Sequence, residues 1–228
     1  MEQIEKNTVE AKGQLKKNNF VTFENKNGKG KRIMFVGNSI TRHGRLPEIG
    51  WDRDWGMAAS EKSKDYAHLL MEKFKKDYED AAFCICQVAE WERKYKEGEK
   101  VLDEFSDARD FEADIIIMRA VENCPRDDFD KELFKKQYES LISYLNPTGK
   151  AKIVMTTSFW KHTATEALKE FASEKNIPVA VLEDLGEDDE MKAIGLFEHE
   201  GVANHPGDKG MQVIAERIYN LFVPEGEI

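Results

Sequence analysis

The chain has 228 residues, 40% of them hydrophobic and 34% charged, with a formal net charge of −10. That length and apolar share suffice for a sizeable core and argue against a disordered polyampholyte, while the acidic balance argues against a nucleic acid as main partner, because phosphate binding needs an excess of cations. Cys84, Cys86 and Cys124 form an odd, sparse set that argues against a disulfide framework and for a reducing compartment.

Residues 1–25 are polar and rich in Lys and Asn, and read as an N-terminal extension to a single domain over 26–228. The stretch NKNGKGKR over 25–32 has a Gly-Lys pattern, but it precedes a strand, whereas a phosphate-binding loop follows one. Five short apolar runs come next: 33–36 (IMFV), 82–88 (AFCICQV), 114–118 (DIIIM), 152–157 (KIVMTT) and 178–182 (PVAVL). Most are continuous, as in strands covered on both faces. Helical stripes lie between and after them, over 64–78, 130–145, 164–175 and 208–222, with a weaker one near 99–110. Thr163 with Glu166 three residues on suggests a capping box for the third stripe. Strand–helix alternation predicts a parallel sheet with helices on both faces. Ligands in such sheets bind beyond the carboxyl ends of the strands. No stretch is long enough for a signal peptide or a membrane span, so a soluble cytoplasmic protein is expected, with no membrane partner.

The loops at those strand ends carry the chemistry-bearing residues. After the first run stands Gly37-Asn38-Ser39-Ile40-Thr41, after the third Arg119-Ala120-Val121-Glu122-Asn123, and before the last helix Val202-Ala203-Asn204-His205-Pro206-Gly207. The blocks VGNSIT, VEN and NHPGDKG resemble the motif blocks of the SGNH (GDSL-type) hydrolases, over roughly residues 30–222. The stretch TRHGRLPEIGWDRDWGMAAS is similar to a bacterial subgroup of that superfamily. The resemblance implies an α/β fold, a flavodoxin-like three-layer sandwich with a five-stranded parallel sheet and helices on both faces. It also implies hydrolysis of esters, including acetyl groups on carbohydrates. Matched residue by residue, Ser39 stands at the nucleophile, Asn123 at the oxyanion-hole Asn and His205 at the base. The chain departs from the pattern at Asn38, where Asp is usual, and at Val121, where Gly is usual. In QVAEWER (87–93), the stretch that stands where the family's second block falls, Ala89 is the nearest match to the oxyanion-hole Gly, and Val202 replaces the Asp three residues before the His.

A serine hydroxyl needs a base to take its proton, and a carboxylate normally orients that base; its loss in a serine protease lowers turnover by ~10⁴. With Val202 in its place, Glu198, Glu200 or a backbone carbonyl is left to orient His205, and Glu200 is taken as the third catalytic group. Asp208 is expected to cap the last helix instead. The oxyanion would be held by the N–H of Ser39, the amide of Asn123 and the N–H of Ala89. Trp51, Trp55, Trp91 and Trp160 all follow strands, and with Glu122 they are read as a substrate wall, although any single Trp more often fills a small satellite core. His43, His199, Asp52 and Asp54 show no metal-ligand spacing, so neither metal nor cofactor is expected. The expected function is a serine esterase that removes an acetyl or short acyl group from a carbohydrate or small molecule through an acyl-enzyme. The alternative is a non-catalytic SGNH-like protein that binds a carbohydrate or metabolite. A flavodoxin-like nucleotide or flavin binder is a third reading, which no Gly-rich loop after the first strand supports.

Overall fold

The computed structural model describes residues 19–223. Six strands form one mixed sheet: β1 Val21–Glu24, β2 Arg32–Gly37, β3 Ala82–Gln87, β4 Ile115–Arg119, β5 Lys152–Thr156 and β6 Val179–Ala180. They lie in the order β1-β3-β2-β4-β5-β6. The five predicted strands are β2 to β6, and all their pairings are parallel. The sixth corrects the expectation of a five-stranded sheet. Val21–Glu24, from the stretch read as an N-terminal extension, pairs antiparallel with β3 as an edge strand. Residues 1–18 of that stretch lie outside the described residues.

Seven α-helices accompany the sheet among the described residues: α1 Tyr66–Asp77, α2 Ala89–Lys94, α3 Ser106–Arg109, α4 Lys131–Leu145, α5 Ala164–Glu174, α6 Glu200–Ala203 and α7 Asp208–Tyr219. Alternate residues of each strand serve opposite faces, as the pleat requires. Met34, Val36, Cys84, Cys86, Ile116 and Met118 pack with Phe134, Tyr138 and Leu141 of α4 and Leu168 and Phe171 of α5. Ile33, Phe35, Phe83, Ile85, Ile115 and Ile117 pack on the other face with Tyr66, Leu70 and Phe74 of α1 and Met211, Ile214 and Ile218 of α7. Each such fully buried side chain contributes roughly 1.5–3 kcal/mol, so the sheet is a rigid platform for its loops. The three cysteines are buried and unpaired, and burial pushes their thiols up. They pack the core.

Two local expectations fail. Thr163 stands at the N-cap of α5 but in helical geometry, and its side chain makes no capping bond. The ring of His162 takes that role, accepting from the Ala164 N–H at 3.1 Å. Asp208 does not cap α7, whose N-cap is Gly207. Its carboxylate instead accepts from the N–H and hydroxyl of Ser60, at 2.8 and 2.7 Å, and so ties the long loop after β2 to the start of α7.

Candidate active site

Sheet register brings the loops together. Gly37, the last residue of β2, is paired with Gln87 of β3 on one side and with Arg119 of β4 on the other. Three chains therefore leave the sheet at one level, where the strand order reverses. Gly37 is needed there: a Cβ would lie 1.9 Å from Thr41 Oγ1 and 3.0 Å from the Arg119 carbonyl. Thr41 cannot retreat easily, because its buried hydroxyl is bonded to Tyr66 Oη at 2.7 Å. The chain then turns tightly, with the N–H groups of Thr41 and Arg42 both on the Asn38 carbonyl. The Ser39 carbonyl accepts from the Met57 N–H at 2.9 Å, which anchors the Ser39 turn to the returning loop.

Ser39 Oγ lies 2.8 Å from His205 Nε2. His205 Nδ1 lies 2.6 Å from the Gly201 carbonyl. A carbonyl can only accept, so Nδ1 carries the proton and Nε2 presents a lone pair to the serine hydroxyl. That is the tautomer a general base requires. Backbone bonds fix the ring's position: the His205 N–H donates to the Val202 carbonyl at 3.0 Å and its carbonyl accepts from the Ala193 N–H at 2.9 Å. Trp160 packs edge-on against the imidazole at 5.1 Å, with its Nε1 on the Asn204 carbonyl at 3.2 Å. Although the residue is half-buried, its ring sits between Ser39, Trp160 and Gly201. Burial pulls its pKa down to about 3; the Gly201 carbonyl opposes the shift, and His43, Arg119 and His199 reinforce it. The imidazole is thus neutral, with the Nε2 lone pair facing Ser39.

The other side of the serine is polar and closed. Asn38, Glu92 and Arg119 are fully buried, and the Glu122 side chain is 4% exposed. The Asn38 amide donates to Glu92 Oε1 at 2.9 Å and to Glu122 Oε2 at 2.6 Å. Its oxygen accepts from Arg119 Nη1 at 3.0 Å and the Ile40 N–H at 3.3 Å. Arg119 Nη2 also pairs with Glu122 Oε1, which accepts from the Phe159 N–H at 3.0 Å. Asn123 Nδ2 donates to Glu92 Oε2 at 2.5 Å. One of its two N–H groups is thereby used and the second remains as a donor.

The fold has counterparts among solved structures. A two-domain esterase active on acetylated mannans superposes with a TM-score of 0.56 at 17% identity, covering 86% of this chain and 49% of that one. The fold is that of the GDSL-type (SGNH) hydrolases. A member of the lipolytic protein G-D-S-L family from Veillonella parvula DSM 2008 gives 0.51 at 16% identity, over 84% of this chain and 98% of that one. A family two carbohydrate esterase from Clostridium thermocellum, in complex with cellohexaose, gives 0.53 at 12% identity, over 84% and 63%. The chain spans about half the length of the mannan-active esterase. No family model matches the sequence, and no curated protein matches it.

Within the SGNH frame, the structure brings Ser39, Asn123 and His205 to one edge and corrects several other expectations. The acceptor on His205 Nδ1 is the Gly201 carbonyl and not the Glu200 carboxylate; Glu200 opens α6, one residue ahead of the carbonyl that does the orienting. Val202 cannot substitute for the absent Asp, since it is buried with Ile49, Trp51 and Met57. The Ala89 N–H is turned to Gln87 Oε1 at 3.1 Å, so it is not an open oxyanion donor. Glu122 faces Arg119 and Asn38 rather than a substrate. Trp51 and Trp91 are fully buried and line no surface: Trp51 packs on Trp55 and Phe197, and Trp91 on Phe134 and Tyr138. Trp55 and Trp160 are half-buried, and Trp160 alone of the four packs on the His205 ring. Asp52 and Asp54 pair with Arg45 and Arg42. The sequence reading missed Glu92 and Arg119. A charge immediately closing the apolar run 115–118, and another beside Trp91, were the available signals.

Proposed function

We propose that the chain is a serine esterase that removes an acetyl or other short acyl group from a carbohydrate or small-molecule ester. The observation that carries this reading is the contact from Ser39 Oγ to the unprotonated Nε2 of an imidazole whose other nitrogen is held by a carbonyl. Ser39 Oγ attacks the ester carbonyl carbon as its proton passes to His205 Nε2. The tetrahedral oxyanion is met by the Ser39 N–H, which no hydrogen bond of the nucleophile turn uses, and by the second N–H of Asn123. His205 returns the proton to the alcohol oxygen as the C–O bond breaks, leaving an acyl-enzyme. It then takes a proton from water, which attacks the acyl carbon, and Ser39 leaves as the restored hydroxyl. A carbonyl supplies only a partial negative charge to the imidazolium formed in each step, so turnover is expected to fall below that of a carboxylate-backed triad.

Solved structures of similar fold support a carbohydrate ester: one is of an esterase active on acetylated mannans, co-crystallised with mannopentaose, and another holds cellohexaose. The test is hydrolysis of an activated acetyl ester such as 4-nitrophenyl acetate, with acetylated oligosaccharides beside it. Ser39→Ala is expected to lower kcat by about 10³-fold or more, and a fluorophosphonate is expected to label only the unsubstituted protein. Equal rates for the two proteins overturn the assignment. Binding of oligosaccharides without hydrolysis or labelling would favour the non-catalytic reading, which the neutral partner of His205 keeps in view.

A further inference from the structure

The acyl-transfer scheme leaves unused a pair of carboxyl groups buried beneath the nucleophile. Glu92 and Glu122 are bridged by the amide of Asn38, and Arg119 is the one guanidinium bonded to the cluster. Asn38 is locked in orientation. Its oxygen faces Arg119 and the Ile40 N–H, so both its N–H groups must point at the two carboxyls. Asn123 is not locked in this way. Among the described residues its side chain has a single hydrogen bond, from Nδ2 to Glu92 Oε2. Which end of the Asn123 amide faces the reacting carbonyl therefore depends on Glu92.

We propose that Glu92 is a positioning residue that holds the Asn123 amide as an oxyanion donor, and that it does so only as a carboxylate. An ionised carboxylate accepts and cannot donate, so it turns Nδ2 toward itself and leaves the second N–H for the oxyanion. A proton on Oε2 reverses the demand. Glu92 then needs an acceptor, the Asn123 amide turns over, and its oxygen stands where the second N–H had been. That oxygen would repel an oxyanion. The inference rests on the esterase reading for its consequence, but not for its geometry.

The charge balance places this switch near neutrality. Two carboxylates with one guanidinium leave a net negative charge in a buried site, and one proton removes it. Burial and the Glu122 charge push Glu92 up to about 7, while Asn38, Asn123 and Arg119 oppose them. The Cys124 thiol and the Tyr138 phenol, which face the same pair, are both pushed up by burial and stay neutral. His205 remains neutral down to about 3 and so contributes no acid limb above that range.

The experiment follows kcat and KM for an activated acetyl ester from about pH 5.5 to 8.5, together with the side-chain amide NMR signals of Asn123, in the unsubstituted protein and in Glu92→Gln. Below about pH 7 kcat should fall toward a floor on the order of 10²-fold lower, the typical effect of one lost oxyanion donor, with KM little changed. The Asn123 signals should titrate with the same midpoint. Glu92→Gln presents an oxygen to Asn38 and an NH₂ to Asn123, so it copies the protonated state. It should be slow at every pH, with neither limb nor amide titration. An E92Q protein with normal kcat, or one that keeps the acid limb, overturns the proposal. If E92Q does not fold, the unsubstituted protein decides: a flat profile or Asn123 signals that do not titrate overturn it. An unsubstituted protein inactive at every pH, whose Asn123 signals still titrate, overturns the esterase reading and leaves the hold of Glu92 on Asn123 standing.

Discussion

The two halves of the candidate site are held in different ways. The serine half stands on buried charge: Asn38 after β2, Glu92 in α2, Arg119 at the end of β4 and Glu122 after it bond to one another beneath Ser39. Among the described residues, the acceptor on the His205 ring is a carbonyl rather than a carboxylate. Backbone bonds to Val202 and Ala193, the Gly201 carbonyl and the ring of Trp160 hold His205. The pattern that the sequence resembles puts an acid behind the imidazole; here the acids are gathered under the serine and the oxyanion donor. The difference teaches that a hydroxyl, an imidazole and an amide can meet in the same way on two kinds of support, whose sensitivities differ. Buried ions fix direction strongly but respond to pH. Main-chain and apolar support is insensitive to pH but gives little charge stabilisation.

The largest effect should come from breaking the ionic support. Arg119→Met removes the cluster's guanidinium and leaves two buried carboxyls facing each other, which typically lowers stability by ~3–5 kcal/mol. The sign with pH can be worked out. Without Arg119, which opposes the rise, the Glu92 pKa goes up further, and protonation removes the uncompensated charge. The deficit should therefore be greatest at pH 8 and shrink toward pH 5.5. Thermal unfolding of both proteins at the two pH values checks this, and a deficit independent of pH would show that the ions are not the support.

The matching change on the histidine side is Val202→Asp, which restores the sequence pattern. Val202 is fully buried against Ile49, Trp51, Met57 and Ala193. A carboxyl there would sit in an apolar cluster and not behind the ring, and stability should fall by about 3 kcal/mol with no gain in kcat. A higher kcat would mean that the loop can rearrange into a triad, and that the main-chain support is replaceable.

The serine half was the less legible of the two. The five parallel strands announced themselves as continuous apolar runs, and Ser39, Asn123 and His205 fell at loop positions a doubly wound sheet brings to one edge. The edge strand Val21–Glu24 did not, because it is four half-buried residues whose pairing with β3 is made across sixty residues of chain. The buried roles of Glu92, Arg119 and Glu122 were hidden for another reason, Glu122 having been read as part of a substrate wall. In a sequence that is 34% charged, three more charges look like solvated surface until the sheet register stacks their loops. The tryptophans misled in the opposite direction: Trp51, in the loop after β2, and Trp91, in α2 just after β3, follow strands at that edge, yet both point inward to satellite and main cores. The Gly201 carbonyl has no sequence signal, since every residue carries one.

The smallest of these effects would isolate the apolar support. Trp160 packs edge-on against the His205 ring while its Nε1–H is bonded to the Asn204 carbonyl, one residue before His205. Trp160→Phe keeps an aromatic surface but removes that hydrogen bond, which is worth about 1 kcal/mol in a typical case. If the bond steadies the histidine loop, kcat should fall about fivefold with little change in KM. The pH profile should keep its shape, because Trp160 touches neither Glu92 nor Glu122. A displaced acid limb in this variant would mean that the two supports are coupled, and that the division between ionic and main-chain halves is wrong. An unchanged kcat would place the holding force entirely in the Gly201, Val202 and Ala193 backbone bonds.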